Sequence, residues 1–127
     1  MKEYMLIFRN KLQENNAQPT AEQMQAMLSQ WQSWIKGIAA KGNYSGTNRL
    51  TTEGKVLSSS NVVKDGPFAE AKEVVGGYLV VKTGSLESAV DIAKECPIFN
   101  YGGEVEVRSV LPINYDVNSE SFLAGLQ

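Results

Sequence analysis

The densest run of groups able to do chemistry is Asp65-Gly66-Pro67-Phe68-Ala69-Glu70-Ala71-Lys72-Glu73. Asp65 can accept hydrogen bonds from backbone N–H groups two residues on, Gly66 tolerates dihedral angles closed to other residues, and Pro67 sets the direction in which the chain leaves. Two readings follow. In one, the segment is a rigid turn at the end of a strand, anchored by Phe68. In the other, the Asp65 carboxylate stands with Lys72 and Glu73 at the mouth of a cleft, where burial would raise its pKa far enough for general-base work. The pattern by itself favours the turn.

The remaining reactive groups are sparse. The chain has no histidine, which removes the commonest general base at neutral pH and the commonest metal and haem ligand. Catalytic triads, zinc sites and histidine-ligated haem are therefore excluded, and no metal or other cofactor is expected. Cys96, the single cysteine, directly precedes Pro97 at the end of a helical pattern rather than at a helix N-terminus, where a thiol pKa would fall. It reads as a packing residue. Gly76-Gly77 is too short for a phosphate-binding fingerprint and suits close backbone approach within a sheet. Trp31 and Trp34 lie three apart on one helix and suit packing better than a ligand box. Asp91 and Glu95, at helical spacing, face away from an apolar stripe and read as solvated.

These groups must be positioned by a small set of elements. Residues 3–9, Glu-Tyr-Met-Leu-Ile-Phe-Arg, form a strand that is apolar on both faces, Tyr4, Leu6 and Phe8 opposing Met5 and Ile7. Thr20 and Gln23 offer a capping box, and Met24, Met27, Leu28, Trp31, Ile35 and Ile38 recur at helical spacing up to about Lys41, where Gly42 closes the helix. Short strands are expected around Arg49-Leu50 and Val56-Leu57. A further strand over Asn61–Lys64 leads into the Asp65-Gly66-Pro67 turn. Gly76–Lys82 alternates Leu79 and Val81 against Tyr78, Val80 and Lys82. Ser85 caps a second helix with Glu87 in its first turn and Leu86, Ala89, Val90 and Ala93 as its stripe, ending before Pro97. Glu104–Val110 is the closing strand, and residues 112–127 form a tail with one helical turn near Phe122.

A chain of 127 residues, 43% hydrophobic and 20% charged, fits one packed domain spanning residues 1–127. Its order of elements predicts an α+β fold of the ferredoxin-like kind, an antiparallel sheet with two helices on one face. The other sheet face then needs a cover, and a second copy of the chain is the simplest. A net charge of −2 argues against nucleic-acid or membrane partners, although basic residues predominate up to Lys82 and acidic ones beyond it. One cysteine and no apolar leader point to the cytoplasm.

Asp65-Gly66-Pro67-Phe68-Ala69-Glu70, then Lys72-Glu73, then Gly76-Gly77-Tyr78 resembles the signature of the YCII-related family, in its branch carrying an Asp-Gly-Pro-Phe motif. The resemblance extends to Tyr4-Met5-Leu6-Ile7 and Val105-Glu106-Val107-Arg108. It implies a dimeric ferredoxin-like α/β barrel, bacterial and cytoplasmic, of unassigned biochemical role. It also implies a loose kinship with cofactor-independent monooxygenases and with proteins whose genes accompany extracytoplasmic-function sigma factors. Two departures bear on chemistry. Related proteins carry a histidine–aspartate pair proposed as catalytic, which this chain cannot build, and Ala71 stands where threonine is common.

Two function classes follow. As a binding module, a homodimer would hold a small polar ligand or a protein segment in a cleft lined by Tyr4, Tyr78, Arg108 and the Asp65-Gly66-Pro67-Phe68 turn, with Lys72 and Glu73 nearby. As a cofactor-independent enzyme, it would use Asp65 as general base with Arg108 or Lys72 stabilising an anionic intermediate. A role beside a transcription regulator rests on the family resemblance alone.

Overall fold

The computed structural model describes residues 1–11, 19–58, 62–66 and 73–113. The elements run β1 (Lys2–Lys11), α1 (Ala21–Ala40), β2 (Tyr44–Arg49), β3 (Gly54–Ser58), β4 (Val62–Gly66), β5 (Glu73–Thr83), α2 (Leu86–Lys94), a 3-10 helix (Pro97–Tyr101) and β6 (Glu104–Ser109). Four strands form an antiparallel sheet in the order β2-β5-β1-β6, and β3 and β4 pair separately as a two-stranded hairpin. This is the ferredoxin-like arrangement with the hairpin inserted between its second and third sheet strands. No helix among the described residues is long and apolar enough to cross a membrane.

Local chemistry explains the helix ends. Thr20 and Gln23 form the expected capping box, the Gln23 N–H donating to Thr20 Oγ1 at 3.1 Å and the Thr20 N–H to Gln23 Oε1 at 2.9 Å. Gly42 takes φ +76° just past Lys41, a conformation that costs glycine nothing. Ser85 caps α2 by accepting from the Ser88 N–H at 3.1 Å, with Glu87 in the first turn. Pro97 both follows α2 and starts the 3-10 helix, an element the sequence pattern does not announce.

Strand register sorts the side chains by face. Tyr4, Leu6 and Phe8 of β1 sit opposite Val81, Leu79 and Gly77 of β5, and Met5 and Ile7 sit opposite Val80 and Tyr78. The first set lies beneath the helices. Leu6, Leu79 and Val81 are fully buried, and they pack with Tyr4, Phe8, Trp34 and Ile38 from α1 and Ala89 and Ala93 from α2. Trp34 also ties the helices together, its Nε1–H donating to the Ile92 carbonyl at 3.2 Å. Cys96 is part of this core, and burial pushes its thiol up to about 12 against a small lowering from a backbone hydrogen bond at Ile98. The opposite face, with Met5, Ile7, Tyr78 and Val80 half-buried, has no helix over it among the described residues.

Four expectations are adjusted. The strand expected to stop at Lys64 continues through Asp65 and Gly66, which pair with Lys55 and Gly54, because cross-strand pairing with β3 overrides the weak strand preference of aspartate and glycine. Strand β2 begins earlier than expected, at Tyr44. In α2 the buried residues are Ala89 and Ala93, while Leu86 in the first turn is exposed. In α1 the buried pair is Trp34 and Ile38, whereas Met24 and Leu28 remain 40% and 54% exposed. Met24 and Leu28 both lie in the first half of α1, which stands off from the sheet across a cavity instead of packing onto it. The expected helical turn near Phe122 lies outside the described residues.

Candidate functional site

The gap left there is a cleft. Between the first half of α1 and the sheet lies a cavity of about 430 Å³ bordered by Phe8 and Asn10 of β1, Met24, Met27, Leu28 and Trp31 of α1, the Thr47–Arg49 end of β2, Gly76 and Gly77 of β5, and Ile98 and Tyr101 of the 3-10 helix. Its volume is within the usual range for small-molecule sites, roughly 300–1,000 Å³. The inner wall is aromatic. Phe8 and Trp31 meet edge to face with centroids 4.9 Å apart, and Trp34 packs behind both, 6.1 Å from Phe8 and 5.6 Å from Trp31. Tyr101 fastens the 3-10 helix to α1, its hydroxyl donating to Gln30 Oε1 at 2.7 Å.

The floor exists because two glycines stand where strands crowd together. The β1–β5 register shifts between Phe8 and Arg9, which leaves Gly76 without an opposite residue. A Cβ on Gly76 would come within 2.5 Å of Asn10 Nδ2, and one on Gly77 within 2.8 Å of the Asn48 carbonyl oxygen and 3.3 Å of Arg49 Cα. The close backbone approach expected of this pair is therefore real at Gly77, and any side chain there would fill cleft space beside Phe8.

Polar groups near the cleft divide by what they already bond. Thr47 Oγ1 donates to the Tyr78 carbonyl at 2.7 Å, and Asn48 Nδ2 donates to Tyr78 Oη at 2.8 Å. The side chains of Asn10 and Arg49 make no hydrogen bond or ion pair among the described residues. Arg49 pairs with Gly77 in register, which puts it on the helix-covered side of the sheet, and it is the one charged side chain among the described residues lining the cleft.

Of the residues singled out from sequence, Tyr4 is parted from Tyr78 and Arg108 by the sheet. Tyr4 is buried beneath the helices, 4% exposed, while Tyr78 and Arg108 belong to the opposite sheet face, opposite Ile7 and Met5. Arg108 Nη1 reaches Glu106 Oε2 at 3.5 Å, and the same carboxylate is bonded by Arg9. Asp65 and Gly66 belong to β4 of the separate hairpin. Glu73 opens β5 opposite Lys11, so the far end of the Asp-Gly-Pro-Phe segment is joined to the strand that floors the cleft. Pro67, Phe68 and Lys72 lie outside the described residues.

Comparison with protein families decides the kinship, for residues 3–114 match the YCII-related domain. The chain belongs to the YCII-related family. No curated protein matches it closely enough to lend an activity. Within this YCII-related domain, sequence reasoning missed the cleft itself. Met24, Met27 and Leu28 carried the only signal for it, being apolar and at helical spacing, but the same signal describes core packing.

A second groove of about 660 Å³ runs between α1 and the Ile92–Asn100 stretch, past Trp34, Ile38, Lys41 and Cys96. It is wide open to solvent, and the Cys96 thiol in its lining has a raised pKa that keeps it protonated and unreactive at neutral pH. Asp91 is paired with Lys94 at 3.5 Å on the exposed face of α2, in keeping with a solvated role.

Proposed function

We propose that this YCII-related chain is a small-molecule-binding protein whose ligand occupies the cleft between α1 and the sheet. The observation that carries this reading is a cavity of about 430 Å³ walled on the inside by Phe8 and Trp31 at the edge of the core and on the outside by Met24 and Leu28, which stay exposed instead of closing onto it. Apolar walls with a few polar groups are the usual make-up of a ligand site. Among the described residues the lining holds no carboxylate, thiol or amine to serve as a strong base, which supports binding over turnover.

The protein works as a homodimer in this reading, joined through the open sheet face. Met5, Ile7, Tyr78 and Val80 lie there half-buried, and an apolar sheet face of that kind is ordinarily covered by a partner. Light scattering should give twice the chain mass, and Ile7→Glu should return it to the chain mass with the fold intact by circular dichroism. A wild-type protein that stays monomeric at micromolar concentration would remove the dimer from the reading.

A thermal-shift screen of small amphipathic compounds tests the ligand role. Binders should raise the melting temperature and change the fluorescence of Trp31, and Leu28→Asp, on an exposed position, should abolish both responses without lowering the melting temperature of the free protein. A screen without binders, or binders indifferent to Leu28→Asp, would sink the cleft as a site.

A further inference from the structure

We infer that the cleft selects small amphipathic monoanions, a ring-bearing carboxylate being the simplest, with Arg49 receiving the carboxylate; this rests on the cleft being a ligand site. The chain has three arginines, and the structure uses them differently. Arg9 and Arg108 both converge on Glu106 on the open face of the sheet. Arg49 lies on the other side, in register with Gly77, and borders the cleft with no ion pair among the described residues. No carboxylate lines the cleft among those residues, so nothing there offsets the guanidinium charge.

A second donor is at hand. The Asn10 carboxamide lies over Gly76, its Nδ2 only 2.5 Å from where a Cβ would stand, and it too has no partner among the described residues. The other polar donors that β2 brings to the cleft are already committed, Thr47 to the Tyr78 carbonyl and Asn48 to the Tyr78 hydroxyl. The available hydrogen-bonding groups are thus a planar cation and an amide, both able to donate to an anion. A guanidinium matches a carboxylate with two parallel N–H···O bonds, geometry that neither a neutral amide nor an amine can reproduce. The edge-to-face pair of Phe8 and Trp31 supplies the complementary surface for a ring. An amine would meet the guanidinium as a like charge and be rejected.

The test compares phenylacetate, phenylacetamide and phenethylamine by fluorescence titration and calorimetry, on the wild type, Arg49→Gln and Arg49→Lys. Phenylacetate should bind at least about tenfold more tightly than the amide, and the amine should not bind, since a charge-assisted hydrogen bond is stronger than a neutral one by about that factor. Arg49→Gln should remove the preference for the carboxylate over the amide, and Arg49→Lys should keep part of it. Because Arg49 is exposed, both variants should fold, which an unchanged melting temperature would verify. Equal binding of phenylacetate and phenylacetamide, or a preference that survives in Arg49→Gln, overturns anion selection and leaves the cleft as a site. So does binding of neutral compounds from the wider screen when phenylacetate does not bind. If nothing binds, the ligand role falls together with the inference.

Discussion

The four-stranded sheet and the β3–β4 hairpin are made of the same antiparallel pairing and differ in what covers them. In the sheet, Leu6, Leu79 and Val81 are sealed beneath two helices. In the hairpin, Leu57 of β3 is 75% exposed and no β3 side chain is fully buried. A two-stranded ribbon without a covering layer is marginal in water, because its hydrogen bonds exchange for equally good ones to solvent. The contrast teaches that the residue richest in chemical promise, Asp65, is mounted on the element with the weaker claim to order of its own. The cleft is instead built on the covered sheet, beneath the first half of α1.

Substitutions can break or sharpen that contrast. The largest effect is expected from Leu79→Ala at the centre of the covered face, which should cost about 2–5 kcal/mol in urea unfolding, the sum of lost burial and an unfilled cavity. A loss below about 1 kcal/mol would mean that the covered layer is less tightly packed than its burial implies.

Gly77→Ala comes next. The added Cβ would sit 2.8 Å from the Asn48 carbonyl oxygen, a backbone atom that cannot rotate away, so β2 must shift. The expected cost is about 1–3 kcal/mol, together with weaker binding in the cleft. Wild-type stability in the variant would show that β2 yields easily.

Cys96 measures how dry the covered layer is. Its folded pKa is raised from the model-compound value of 9.0 to about 12 by burial, so the unfolded chain loses its thiol proton first as pH rises. Stability from this group is complete below about pH 9 and is lost progressively between there and about pH 12, by about 1.4 kcal/mol near pH 10. Wild type and Cys96→Ala compared by urea unfolding at pH 8 and 10 isolate the effect, because other alkaline groups are common to both. Parallel pH slopes would contradict it. The same burial should leave the thiol unlabelled by a maleimide until the protein unfolds.

The smallest effect belongs to the hairpin. Leu57→Asn should change global stability by no more than about 0.5 kcal/mol, in keeping with an exposed surface position. A loss comparable to that of Leu79→Ala would show that the hairpin is covered in solution, and repeating the measurement over a range of protein concentrations would show whether the cover is a second chain.

Local rules carried much of the fold in advance. The capping box at Thr20, the left-handed Gly42, the serine cap of α2 and the alternation of Leu79 and Val81 are all short-range consequences of side-chain size and hydrogen bonding, so each could be placed from neighbouring residues alone. The order of elements then left the ferredoxin-like sheet as the natural packing. What the sequence could not decide is which apolar residues meet others. Met24, Leu28 and Ile38 carry the same periodic signal, yet Ile38 is buried and the other two line a cleft, because burial depends on how closely each turn of the helix approaches the sheet. Nor could it tell that Tyr4 lies on the opposite face from Tyr78 and Arg108, or that Glu106 engages two arginines and leaves Arg49 over. Those outcomes depend on strand register, which joins residues distant in the chain and is set only when the whole sheet assembles.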